Sequence, residues 1–182
     1  MIFRQKTKIK KNSGGFSLLE LIVYIGILGI IAVVVADVFL LLNKSRGQVE
    51  AKTEVNNNIR FALESIKRDI TMANALLTPA ATSSASSSLQ LQSGGSTVTY
   101  CLVSGRLRRQ SGGACTAASD AITGERVTVS NVQFSRTENF SPSFGTKTVA
   151  VIVDLRIDYN GAAAEWQYGQ DERLTAALRS DL

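Results

Sequence analysis

Any chemistry in this chain must be done without histidine. The 182 residues contain none, which removes the commonest general base and the commonest metal ligand together. Cys101 and Cys115 are the only cysteines. Two thiols without histidine need carboxylates to complete a standard zinc site. In an extracytoplasmic protein the default reading of such a pair is one disulfide, worth on the order of 3 kcal/mol for a loop of about 15 residues. The alternative is two buried free thiols. Asp154, Asp158, Asp171 and Glu172 could in principle hold calcium, but their spacing is not that of a calcium loop. No carboxylate pair suggests acid–base catalysis. The expectation is a protein with no catalytic residue, no metal site and no cofactor, hence not an enzyme.

Two further acids are unusual for their surroundings. Leu21 to Leu42 is a run of 22 residues whose single charge is Asp37, and Glu20 stands immediately before it. At about 1.5 Å per residue the run reaches about 33 Å, enough to cross a hydrocarbon core of about 30 Å. Arg4, Lys6, Lys8, Lys10 and Lys11 precede it with no acid among them. That bias puts the N-terminus in the cytoplasm and the residues after about 43 outside. These five positives also account for the whole net charge of +5, leaving 15 basic and 15 acidic residues from Phe16 onward. The body therefore has no net-charge signature of a nucleic-acid binder.

A signal anchor or a cleaved secretory signal would explain the apolar run, with Val34-Val35-Ala36 as a tolerable cleavage site before Asp37. The run is long for a signal, whose apolar region is about 7–15 residues. Neither reading accounts for Gly14-Gly15-Phe16-Ser17-Leu18-Leu19-Glu20. A charge inside a membrane span costs about 2.5–3.5 kcal/mol at the helix centre, so an acid kept at its entrance suggests a partner.

The segment Gly15-Phe16-Ser17-Leu18-Leu19-Glu20 resembles the processing motif of type IV prepilins and type II secretion pseudopilins. The resemblance implies cleavage between Gly15 and Phe16 by a membrane-embedded prepilin peptidase, and methylation of Phe16 as the new N-terminal residue. It also implies that Glu20, then the fifth residue, meets the N-terminal amine of a neighbouring subunit when the helices bundle. The physics agrees: amine and carboxylate are each costly in lipid, and pairing relieves both. Asp37 has two readings. It is a second inter-subunit contact or local helix break, or an aspartate near the outer membrane face within reach of water.

The elements that must carry these residues follow from periodicity. Val55, Ile59, Leu63, Ile66, Ile70, Ala73 and Leu77 step by three and four, one apolar stripe of a helix. Thr78-Pro79 is expected to stop that helix. Gly47 and Asn56-Asn57-Asn58 are weak helix formers that permit a bend. Beyond a small-polar stretch at 80–88 the period becomes two. Leu89 and Leu91, then Val98, Tyr100 and Leu102, mark strands, and Ser104-Gly105 reads as a two-residue hairpin turn with Leu102 opposite Leu107. Val127 and Val129 fall out of phase with Val132 and Phe134, which predicts a bulge at Ser130-Asn131. Val149 to Tyr159 alternates cleanly, as in an antiparallel sheet covered on one face. Residues 171–182 are ambiguous: Ala176-Ala177 favours helix, while the resemblance implies a final strand. Arg106, Arg108 and Arg109 form either a basic patch for an acidic ligand such as DNA or a solvated strand face. The stacking aromatics of a nucleic-acid platform are missing around them.

The chain is therefore expected to be an α+β, pilin-like protein. A leader at 1–15 precedes a membrane and assembly helix at 16–42, with an amphipathic continuation at 43–78. A Ser-rich connector at 79–88 then leads to an antiparallel sheet domain at 89–182. Patterns around Arg60–Asp69, Val98-Thr99-Tyr100, Gly105-Arg106-Leu107-Arg108-Arg109 and Leu174–Arg179 are similar to J-type minor pseudopilins and related minor pilins. The resemblance implies a minor subunit of a type IV pilus or type II secretion system that starts or caps a filament. Its implied partners are other pilin or pseudopilin subunits, the prepilin peptidase, an inner-membrane assembly platform and membrane lipid. Nucleic acid is not expected, though a DNA-uptake pilus stays open. The implied location is the cytoplasmic (inner) membrane, crossed once, with the C-terminal domain outside and later part of a periplasmic or surface filament. The competing reading is a monomeric, signal-anchored extracytoplasmic binding domain.

Overall fold

The computed structural model describes residues 17–142, 146–161 and 166–179. Among the described residues one α-helix, α1 (Leu18–Met72), is followed by nine strands: β1 (Ala75–Thr78), β2 (Ala85–Ser86), β3 (Leu89–Ser93), β4 (Ser96–Val103), β5 (Arg106–Ser111), β6 (Asp120–Ala121), β7 (Val127–Ser141), β8 (Thr146–Tyr159) and β9 (Gly169–Ala177). The strands form two antiparallel sheets, ordered β1-β3-β4-β5-β6 and β2-β7-β8-β9. The chain divides into two compact units, residues 1–43 and 44–182.

In the second unit the helix from Lys44 onward lays Val55, Ile59, Ala62, Ile66 and Ile70 into the core. The first sheet meets them with Leu89, Leu91 and Tyr100, and the second with Phe134, Val153 and Ile157. Both sheets thus cover one helix face, the α+β arrangement expected. The sheets join where Val129 N–H donates to the Gly105 carbonyl at 2.8 Å. The turn there is Ser104-Gly105, and both residues have positive φ (54° and 70°), as a two-residue primed hairpin turn requires. Leu102 stands opposite Leu107. The register of β7 on β8 shifts between Val129 and Asn131, the predicted bulge. The ambiguous tail is a strand: β9 pairs along β8 from Gly169 to Ala177. Intrinsic preference for helix at Ala176-Ala177 loses to an open edge of β8 that nine residues can pair with.

The helix ends at Met72, not near residue 77. Asn74 N–H already donates to the Gln92 carbonyl at 2.8 Å, and Leu76 pairs opposite Leu91. Pairing with β3 ends the helix before Pro79 can. Leu76 is consequently buried and Leu77 exposed, so Leu77 falls in the helical stripe by coincidence. The Ser-rich connector is not wholly irregular either. Ala85 and Ser86 pair with Ser135 and Phe134 as a short edge strand, and Arg136 Nη1 donates to the Ala80 carbonyl at 2.9 Å. No break occurs at Gly47 or at the asparagines, since α1 is continuous. Gly47 is needed for space: a Cβ there would collide with the indole of Trp166, the single tryptophan.

Asp69 lies on the buried face of the helix, and its side chain is only 6% exposed. Tyr100 Oη on β4 donates to Asp69 Oδ2 at 2.6 Å, and Arg109 Nε on β5 donates to the same oxygen at 2.7 Å. Tyr100 Oη also lies 3.2 Å from the Ser65 carbonyl. Burial, and then the adjacent carboxylate, push the Tyr100 phenol far above its ordinary value, so it stays a neutral donor. The hydrogen bond to Asp69 raises the Arg109 guanidinium in turn. Removing the carboxylate strands the guanidinium and leaves the phenol only the Ser65 carbonyl as an acceptor. Asp69→Ala should cost about 2–3 kcal/mol in urea unfolding of the detergent-solubilised full chain. That is below the usual range for a broken buried pair, because Arg109 is a third exposed.

Candidate functional site

In the first unit, the described residues from Leu18 to Asn43 form uninterrupted helix with every side chain exposed. This segment reaches a mean hydropathy of 2.9 over its most apolar 18 residues, none of them buried. Leu18, Leu21, Ile25 and Leu28 each show half or more of their surface. At about 25 cal/mol per Å², such a surface is strongly unfavourable in water and must be covered by lipid or by other helices.

Glu20 is exposed and occupies the first turn of α1, where the partial positive charge of a helix N-terminus favours an acid. Tyr24, one turn later, places its hydroxyl 3.4 Å from Glu20 Oε1. Gly15 and Phe16, the predicted cleavage pair, lie outside the described residues. The helix passes through Asp37 without interruption, so the local-break reading of that residue is wrong. Backbone hydrogen bonding in a long helix does not yield to one exposed aspartate.

The other sequence candidates are occupied by structural duties. Arg106 pairs with Glu125 at 3.1 Å, Arg108 Nη1 donates to the Ser119 carbonyl at 2.7 Å, and Arg109 holds Asp69. All three are half-buried. They are neither a free basic patch nor a solvated face, because alternation along β5 could not show that a loop folds over it. Asp154 pairs with Arg173, Asp158 and Asp171 pair with Arg156, and Glu172 accepts from Gln170. Asp154–Arg173 and Arg156–Asp171 link β8 to β9, while Arg156–Asp158 runs along β8 and Gln170–Glu172 along β9. Cys101 and Cys115 are joined by a disulfide with Cα atoms 6.2 Å apart. It straps the loop after β5 over the outer face of β4, where Thr99 is buried and donates to the Gly113 carbonyl at 3.2 Å.

Sequence reasoning missed the contacts that dock the helix. Asn58 Oδ1 accepts from Gly124 N–H at 2.7 Å, while its amide donates to the Glu54 carbonyl at 2.8 Å. Glu50 pairs with Arg126 at 2.6 Å. Asp69 did leave a signal. It falls three residues after Ile66 and four before Ala73, so it is a carboxylate inside the apolar stripe.

Glu138 on β7 accepts from Lys147 and from Arg136. Hydrogen bonds from Lys147, then Thr82, then Arg136 hold its carboxyl at about 2, below its ordinary 4.5. A depressed carboxyl adds stability that is complete above the unfolded value and fades as pH falls towards the folded one. Thermal unfolding of wild type should therefore show an extra loss of Tm between pH 4.5 and 2 that Glu138→Gln lacks.

The family description "prokaryotic N-terminal methylation motif" matches residues 10–36. No curated protein and no solved structure matches the chain. The matched span covers the glycine–phenylalanine step, Glu20 and most of the apolar segment, and it continues into a helix whose outer part packs on antiparallel sheets. By that motif, its uncovered apolar helix and its helix-on-sheet fold, this chain is a type IV pilin-like protein.

Proposed function

We propose that the chain is a minor pilin or pseudopilin, processed by a prepilin peptidase and assembled into a filament, where it acts in initiation or at the tip. The observation that carries this reading is the apolar helix of residues 18–43. It is bare along its length and has one acid at its entrance, directly after the methylation motif. Cleavage between Gly15 and Phe16 would remove all five leader positives and leave an amine four residues before Glu20. In the membrane each subunit is solvated by lipid. In a filament the apolar faces pack on one another, and the carboxylate of one subunit meets the amine of the next. Each ion is costly in a dry bundle alone and tolerable as a pair, so the pair favours assembly and sets axial register. The globular unit supports the reading: Asp69 holds the helix to the first sheet, and Asn58 and Glu50 hold it to the segment before β7, so a pull on the helix is transmitted to the whole domain.

The J-like patterns favour a minor subunit over a major one, and the partners would be other pilin-like subunits, the peptidase and an inner-membrane assembly platform. Mass spectrometry of the protein purified from its host membrane should find a mature chain starting at Phe16 and carrying a methyl group. A chain starting at Met1 would instead support the signal-anchored binding domain, and one starting at Asp37 would mean ordinary secretion. Glu20→Ala should be processed normally yet reach sheared filaments at about a tenth of wild-type level or less. Unchanged incorporation would remove the assembly role.

A further inference from the structure

The acid at the entrance of the apolar helix has a potential donor on its own chain. Tyr24 carries the one hydroxyl, and the one side-chain hydrogen-bond donor of any kind, between Leu18 and Leu42. It lies four residues after Glu20, and its Oη is 3.4 Å from Glu20 Oε1. Helical geometry explains the approach. Side chains at i and i+4 share a face, and each Cα–Cβ bond tilts towards the N-terminus, so the ring leans back over the turn that holds Glu20. The separation exceeds the about 2.5–3.0 Å usual for O–H···O. Small rotations of two exposed side chains close that gap, since neither is held by packing.

We propose that Tyr24 is the positioning residue for Glu20: its phenol donates to one carboxylate oxygen and leaves the other to the amine of a second subunit. The inference rests on the assembly reading above. An ionised carboxylate offers about four lone-pair sites, so the phenol and an ammonium do not compete. The two states of the subunit value the phenol differently. At the membrane edge water can serve Glu20, and the phenol adds little. Inside a packed bundle water is excluded, and a donor already in place is worth more. A bond stronger in the assembled than in the free subunit is the kind that shifts an equilibrium towards assembly. Asp37 has no such donor one turn away on either side, since residues 33 and 41 are Val33 and Leu41.

The test is a double-mutant cycle on the full chain in its own host. The readout is the share of processed subunit recovered in sheared filaments, with membrane-inserted and processed amounts measured alongside. Tyr24→Phe keeps the ring and removes the hydroxyl. It should lower incorporation about three- to tenfold, the net worth of one hydrogen bond, with insertion and processing unchanged. In the Glu20→Ala background the same change should cost nothing further. A full additional loss there would assign the effect to ring packing and overturn the proposal. Wild-type or increased incorporation of Tyr24→Phe beside a defective Glu20→Ala would overturn the phenol's role alone. If Glu20→Ala is itself unaffected, the assembly reading falls and takes this inference with it.

Discussion

Asp69 is a carboxylate on the apolar face of a helix, and such a group is tolerated only where its charge is met. Tyr100 and Arg109 meet it from two adjacent strands of one sheet. The arrangement is specific in a way that apolar packing is not. A stripe of valine and isoleucine can slide by a turn against a sheet of leucine and valine at modest cost. A helix that slides by a turn leaves an ion, a phenol and a guanidinium unpaired in a poorly solvated place. Register between helix and sheet is therefore set here, and the outward face of the helix follows from it.

That register matters because the same helix runs into a segment with nothing to cover it. From Lys44 onward α1 buries one face, while from Leu18 to Asn43 it buries none. One continuous element thus has two solvents, its own sheets and whatever surrounds the apolar part. Lipid suits that part because it is apolar all round. Other apolar helices suit it for the same reason.

The remaining polar features divide by whether the chain satisfies them itself. The arginines of β5, the late carboxylates and the cysteine pair all find partners within the globular unit. Glu20 lies outside that unit, and among the described residues the hydroxyl of Tyr24, 3.4 Å away, approaches it without neutralising it. In a chain with no histidine and its cysteines oxidised, an acid kept at the mouth of an apolar segment is the feature most in need of a second molecule.

The sequence alone determined what depends on short-range order. A 22-residue apolar run, a clean alternation from Val149 to Tyr159, a turn at Ser104-Gly105 and a phase slip at Ser130-Asn131 each have one local solution, and the fold class follows from their succession. The tertiary structure decided what depends on pairing between distant segments. It ended the helix at Met72 because β3 was there to receive Asn74–Thr78, and it made a strand of Gly169–Ala177 because β8 had an open edge. It also turned Arg109 from a surface cation into half of a buried link, because its partner lies 40 residues away along the chain. Local propensity cannot see a partner at that distance, and the free energy that chooses between conformations at these positions comes from it.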